Sequence, residues 1–403
     1  MSDIKSPSQA PDEAGAPGRI VIANGLVHAM SGAPPRLANV VIDNGIVEHI
    51  GDGDGDVGVS GPNIVVDAEG AVVAPALTDI HTHIYWGATS LGVRPEEVAF
   101  RSGTGVFVDA GSAGAANIEG LRTFIFEPSP LHTFAYLNVA FPGIFGFSRR
   151  VMVGEGEDIR LLDKTSCLEA ADRFRDIVVG IKVRAGRRAA GRNGGRALDL
   201  ALEVAEAAGL PLMCHVDLDP PDIDVALDAL RPGDILTHCC RPEPNAPVIG
   251  GDVRQTAWKA RERGVVFDIG HGMGGFSFET CRQMVAEGFT PDLISSDIHC
   301  MSVDGPAHDV LTTLNKIVAV GVEFEAALAA TTERPATVIG QPQLGRIRVG
   351  EPANIAVLRR QPEPAKLVDV TGESLRLEGA FGCQQLILNG ALIATPQDLL
   401  SMH

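Results

Sequence analysis

No run of about 18 uninterrupted apolar residues occurs, so nothing here has the length of a membrane-crossing helix. The opening segment MSDIKSPSQAPDEAGAPG lacks the apolar core of an export signal and reads as a flexible arm over residues 1–18. A cytoplasmic location is therefore expected. There is no CxxC pair, and the seven cysteines are odd in number, which points to reduced thiols rather than a disulfide framework. Basic residues are scarce: 33 Lys and Arg stand against 51 Asp and Glu, a formal net charge of −18. Such a chain repels polyphosphate and anionic surfaces, so neither nucleic acid nor a membrane is expected as its partner. No GxGxxG follows the first strand-like run of the central region, which argues against a dinucleotide-binding fold.

What remains is a chain with 45% hydrophobic and 21% charged residues, ordinary for a globular protein with a large core. Residues 19–75 alternate apolar runs with Asn-Gly and Gly-rich turn signals, and residues 345–403 repeat the pattern. One small β-sandwich module built from both chain ends is expected. Residues 76–344 have a different rhythm, in which short β-branched runs alternate with helix-like stretches such as GGRALDLALEVAEAAG and FSFETCRQMVAEG. Eight strand candidates are legible, at 72–83, 104–111, 131–140, 178–185, 211–217, 234–240, 265–272 and 293–299. Strands alternating with helices imply a parallel sheet, and eight of them imply a (β/α)8 TIM barrel, with a doubly wound open sheet as the structural rival.

A buried parallel strand should be apolar throughout, so a polar residue near its C-terminal end needs a reason. Five of the eight candidates carry one: His81 and His83, Lys182, His215, His238 and Asp297. Alternation points His81 and His83 to one face, where both can hold one ion. Singly, each has a bland explanation: a hydrogen-bonded core histidine, a snorkelling lysine, a loop-capping aspartate. Jointly they converge on the barrel mouth, where this fold places active sites. Lys182 is the odd member, because an ammonium repels metal ions. Either burial strips its proton, giving a Schiff-base or general-base lysine, or carbon dioxide converts the amine to a carbamate whose oxygens can bridge two cations.

The segments PALTDIHTHIYWGATSLG, VVGIKVRAG, LMCHVD, ILTHCC, FDIGHGMGGFSF and SSDIHCMSVDGPAHDVLTTLNKIVAVG, followed by ATTERPA, resemble the amidohydrolase superfamily. Within it they are similar to the deacetylase and dihydroorotase-like branch. The resemblance implies that His81, His83 and Asp297 bind the more buried of two divalent metal ions, and that His215 and His238 bind the more exposed one. Lys182, carboxylated by CO2, would bridge them with a hydroxide. Zinc is the metal expected from imidazole and carboxylate ligands. It further implies attack of the bridging hydroxide on a carbonyl, with Asp297 acting as general base and then as general acid.

Some positions depart from the pattern. Pro75-Ala76-Leu77 replaces the usual glycine before the first strand, and Asn354 stands where the family shows Asp. Dihydroorotases carry an arginine two residues after the second His, for the substrate carboxylate; here that position is Tyr85. The loop RAGRRAAGRNGGR could attract an anionic substrate instead, with Arg184 two residues past the proposed bridge. Tyr85, Arg184, His271 and His299 are the candidate substrate-binding residues. The expected activity is hydrolysis of an acyl amide or ester in a small, anionic molecule, of the N-acyl amino acid or acylated hydroxy acid type. The alternative is a ring-opening cyclic amidase of the hydantoinase, imidase or dihydroorotase kind. A mononuclear deaminase would not use a bridging lysine, and an assembly protein derived from this fold would have lost ligands that are all in place here. A homo-oligomer is expected.

Overall fold

The computed structural model describes residues 19–30, 32–52, 63–393 and 398–399; the arm expected over 1–18 lies outside the described residues. Seven of the eight strand candidates form one curled parallel sheet. Its strands are β1 (Leu77–Thr82), β2 (Thr104–Gly114), β3 (His132–Asn138), β4 (Val178–Arg184), β5 (Leu212–His215), β6 (Ile235–Leu236) and β7 (Val266–Phe267). They neighbour one another in chain order, every pair parallel. β1 and β2 are buried along their whole length, as a sheet covered on both faces requires.

Candidates at 234–240, 265–272 and 293–299 run as regular strand for two residues, two residues and none, respectively. The cause is local. His238 (φ 61°), Gly270 (φ 48°), Gly272 (φ 47°) and Asp297 (φ 46°) adopt left-handed backbone, which ends an extended run. The 293–299 segment still lies between β7 and β1. It makes parallel bridges from Leu293 to Asp268 and from Ile298 to Thr82, and the Ile298 carbonyl accepts from the His83 amide at 2.9 Å. Asp79 of β1 accepts from the Ser296 amide at 2.9 Å and from the Ser296 hydroxyl.

The helices follow from apolar spacing and their caps. Gly194–Ala208 buries Ala197, Leu198, Ala201, Val204 and Ala205 and ends at Gly209 in the left-handed conformation. Phe278–Ala286 starts at Ser277, whose hydroxyl accepts from the Thr280 amide.

Both chain ends contribute to a single eight-stranded sheet. Arg19–Val27, Arg36–Asp43, Ile46–Gly51, Asn63–Asp67 and Val72–Pro75 come from the start, and Ile355–Arg360, Phe381–Leu388 and Ala391–Ile393 from the end. The first strand candidate is thus two strands: 72–75 pairs with 355–358 in this sheet, while 77–82 pairs with β2. Asn44-Gly45 and Asn389-Gly390 are two-residue hairpin turns with φ positive at both positions, as their sequence predicts. Asn24-Gly25 differs. It is a bulge inside Arg19–Val27, where the register shifts, and a Cβ on Gly25 would collide with Val73.

Candidate active site

Alternation along β1 carries His81 and His83 to one face, and the turn at Asp297 brings its carboxylate to both. Asp297 Oδ1 is 3.1 Å from His83 Nε2 and 3.4 Å from His81 Nε2. The potential ligand atoms of these three residues all lie within 4.8 Å of one another. Lys182 Nζ, from β4, reaches to 3.1 Å from His81 Nε2. The His215 and His238 rings, from the ends of β5 and β6, stand 4.4 Å apart between centroids, with His238 5.1 Å from His81. All six side chains line one cavity of about 380 Å³.

The backbone and its neighbours decide which imidazole nitrogen faces inward. His238 Nδ1 lies 2.5 Å from the Gly270 carbonyl, which can only accept, so Nδ1 carries the proton and Nε2 its lone pair. Thr237 donates its hydroxyl to Asp268 Oδ2 at 2.7 Å, so its oxygen accepts from His81 Nδ1 at 2.8 Å, with the same consequence. Ser295 donates to the other Asp268 oxygen at 2.6 Å. Contacts of this kind fix a ring's tautomer and its orientation. His83 Nδ1 sits 2.8 Å from Ser112 Oγ. His215 Nε2 is buried without a hydrogen-bond partner among the described residues; Asp217 Oδ2, at 3.7 Å, is out of reach.

Burial dominates the charge states. It holds His81 and His238 well below the usual imidazole range, with Lys182 adding to the effect at His81 and His215 at His238. It brings His215 down to about 4 against the pull of Asp217. These are neutral imidazoles, the form that donates a lone pair. Burial opposes ionisation of Asp297, but His81 and His83 outweigh it and hold the carboxyl well below its ordinary value. Burial pushes the Lys182 ammonium down to about 8, although Asp297 and Asp268 favour its charge. Neutral imidazoles, an ionised carboxylate and an orphaned buried ring nitrogen form a donor set that suits divalent cations.

Two tightly placed glycines shape the centre. A Cβ on Gly272 would collide with Asp297 Oδ2, and one on Gly270 would come within 3.0 Å of His81 Nδ1. Only a residue without a side chain lets this turn pass so close to Asp297 and His81.

Of the candidate substrate contacts, Arg184 and His299 line the cavity. Arg184 donates to Glu155 at 3.1 Å, and His299 packs edge-on to Phe147 at 5.5 Å. Tyr85 does not reach it. Because β1 ends at Thr82, alternation no longer governs position 85, and the phenol instead donates to the Asn117 carbonyl at 3.0 Å inside the core. His271 is also turned away. It stacks on Phe276, and its Nε2 is 2.6 Å from Lys316 Nζ. Sequence reasoning missed Asp217 and Arg241, which lie two and three residues past proposed ligands and face the same cavity. It also missed Asp268, although a buried polar residue at a strand end was the signal used for the others. Leu91, Ile144, Phe147 and Met152 come from the loops after β1 and β3, and Met273 from the turn after β7.

Comparison with known proteins agrees with this geometry. The amidohydrolase family profile matches residues 319–393. A deacetylase of Agrobacterium fabrum is 34% identical over 82% of this chain and 80% of its own, and a deacetylase of Brucella anthropi is 33% identical over 81% of both. A dihydroorotase crystal structure superposes with a TM-score of 0.86 at 30% identity, covering 94% of this chain and 98% of the other. An adenine deaminase structure gives 0.83 at 27%, covering 93% and 99%. The chain belongs to the amidohydrolase superfamily and is a hydrolytic enzyme. Members of that superfamily use divalent metal ions, and the His81–His83–Asp297 group is the matching feature here. No helix among the described residues is long and apolar enough to cross a membrane.

Proposed function

We propose that this protein is a dinuclear metal-dependent hydrolase that cleaves an acyl amide or ester, in a substrate of the N-acyl amino acid or acylated hydroxy acid type. The observation that carries the reading is the convergence of His81, His83, Lys182, His215, His238 and Asp297 on one cavity. Similarity to two deacetylases supports acyl transfer to water as the reaction.

His81, His83 and Asp297 would hold one divalent ion and His215 and His238 the other, with zinc the metal that suits these donors. Lys182, as the carbamate of its buried amine, would join the two halves of the site. Bound there, the ions would supply the acidity that ionises water near neutral pH and the field that polarises an acyl carbonyl. Asp297, in its carboxylate form, accepts the proton of the attacking water and returns it to the leaving nitrogen or oxygen. The Asp297 side chain is only 13% exposed, which limits its contact with bulk water during this exchange.

We further assign residues 76–344 to a closed (β/α)8 barrel and residues 19–75 with 345–403 to a composite β-sandwich module. The 293–299 segment, bridged to both β7 and β1, supports closure. The protein is proposed to be a cytoplasmic homo-oligomer acting on a small molecule, without nucleic acid or membrane partners. Ring-opening of a cyclic amide is the second reading, favoured by the likeness to a dihydroorotase. Against it, Tyr85 in the core cannot serve as the missing carboxylate anchor.

A hydrolysis screen separates these readings. Metal-replete protein is offered N-acyl amino acids, acyl hydroxy acids and cyclic amides, before and after treatment with a chelator. Turnover of the open-chain acyl compounds is expected, falling by roughly 10³-fold or more on chelation and returning with added metal. Turnover confined to cyclic amides selects the second reading, and turnover indifferent to chelation rejects both.

A further inference from the structure

Strands β4, β5 and β6 each place a proposed ligand at the cavity and then, two or three residues later, an ionic side chain on the same wall. Arg184 follows Lys182, Asp217 follows His215, and Arg241 follows His238; Arg188 joins them from the helical turn after β4. Their charges do not balance. Arg184 is matched by Glu155 at 3.1 Å. Among the described residues no carboxylate oxygen lies within 4.0 Å of the guanidinium of Arg188 or Arg241.

Arg241 is the more unusual of the two. One terminal nitrogen donates to the Val216 carbonyl, while its Nε is buried with no hydrogen-bond partner among the described residues. Asp217 favours the Arg241 charge without pairing with it, and already accepts from the amides of Leu218 and Arg188. A half-buried guanidinium that lines a cavity without an ion-pair partner lacks a planar acceptor of its own. The remaining wall has the opposite character: Leu91, Ile144, Phe147, Met152 and Met273 carry no charge.

We propose that Arg241, with Arg188 beside it, forms a subsite for a substrate carboxylate, so that the enzyme selects acyl compounds whose leaving group bears both an anionic carboxylate and an apolar substituent. This rests on the acyl-hydrolase reading, which it deepens by naming the residues that set substrate choice. The carboxylate binds as a bidentate acceptor to the guanidinium fork, and the apolar substituent packs towards Phe147 and Met152. Arg241 is a specificity residue and touches no reacting atom.

The test uses the metal-replete full chain and a matched pair, N-acetylleucine and N-acetylleucinamide, in both enantiomers. The ratio of kcat/KM for acid over amide should fall roughly 10- to 100-fold in Arg241→Met, through KM rather than kcat. Arg241→Lys, which keeps charge but loses the fork, should fall between that variant and wild type. Calorimetric binding of isocaproate against isocaproamide reads the same subsite without turnover. The proposal is overturned if Arg241→Met leaves both the ratio and the isocaproate affinity within about twofold of wild type. Should that variant not fold, Arg188→Gln, at an exposed position, decides by the same criterion. If wild type holds metal but hydrolyses neither compound, the acyl-hydrolase reading fails, and the binding contrast alone judges the subsite.

Discussion

Asp297→Asn should lower kcat by roughly 10⁴-fold on any substrate the protein hydrolyses, while leaving the fold intact. The substitution is close to isosteric, and asparagine tolerates the left-handed backbone that residue 297 adopts at φ 46°. The amide of residue 297 still donates to the His81 carbonyl, the contact that pins the turn. What disappears is an anion facing His81 and His83 and a group able to take and return a proton. Steady-state kinetics on metal-replete protein, with thermal melting as the folding control, measures the effect. A kcat within tenfold of wild type would remove Asp297 from the chemistry.

Lys182→Ala should cost roughly 10³-fold or more in activity and sharply reduce retention of the second metal ion. Lys182 is 1% exposed, and Gly111 makes room for its chain: a Cβ there would come within 2.6 Å of Lys182 Cγ. Restoration of part of the activity by formate or propionate would identify the missing group as a carboxylate rather than an amine. A Schiff-base or general-base lysine would show no such rescue. There is also a pH signature. Carbon dioxide reacts with the free amine, and burial brings that ammonium down to about 8. Reconstitution of metal-free protein with metal under a fixed partial pressure of carbon dioxide, which holds dissolved CO2 constant, should therefore speed up about tenfold per unit as pH rises towards 8, then level off. Reconstitution at the same rate from pH 6 to 9 would contradict this.

The convergence of His81, His83, Lys182, His215, His238 and Asp297 on one cavity was legible because strand periodicity and polarity conflict at the same residues. A histidine, lysine or aspartate inside an apolar β-branched run is anomalous wherever the run ends up. Alternation alone oriented His81 and His83, since both lie on or next to one regular strand. Side-chain direction stopped being legible where regular strand stopped. Tyr85 lies three residues past the end of β1, so its position in sequence said nothing about its direction. His271 lies four residues past β7, within a turn of left-handed glycines, and points into the layer around Lys316. The shortened sixth to eighth strands have the same origin, because positive φ at His238 and Asp297 leaves no trace in residue type. Asp268 was legible in principle and overlooked; it stands in VVFDIGHG as anomalously as His215 does in PLMCHVD. Arg241 was not legible. Its meaning comes from a guanidinium without an ion-pair partner among the described residues and from a shared wall, which only the folded chain brings together.

The central claim, a site built for two metal ions, is tested most directly by counting them. Protein expressed with added metal and bicarbonate, freed of loosely held ions and analysed by plasma mass spectrometry, should contain two divalent ions per chain. One ion or fewer per chain under those conditions would contradict the account.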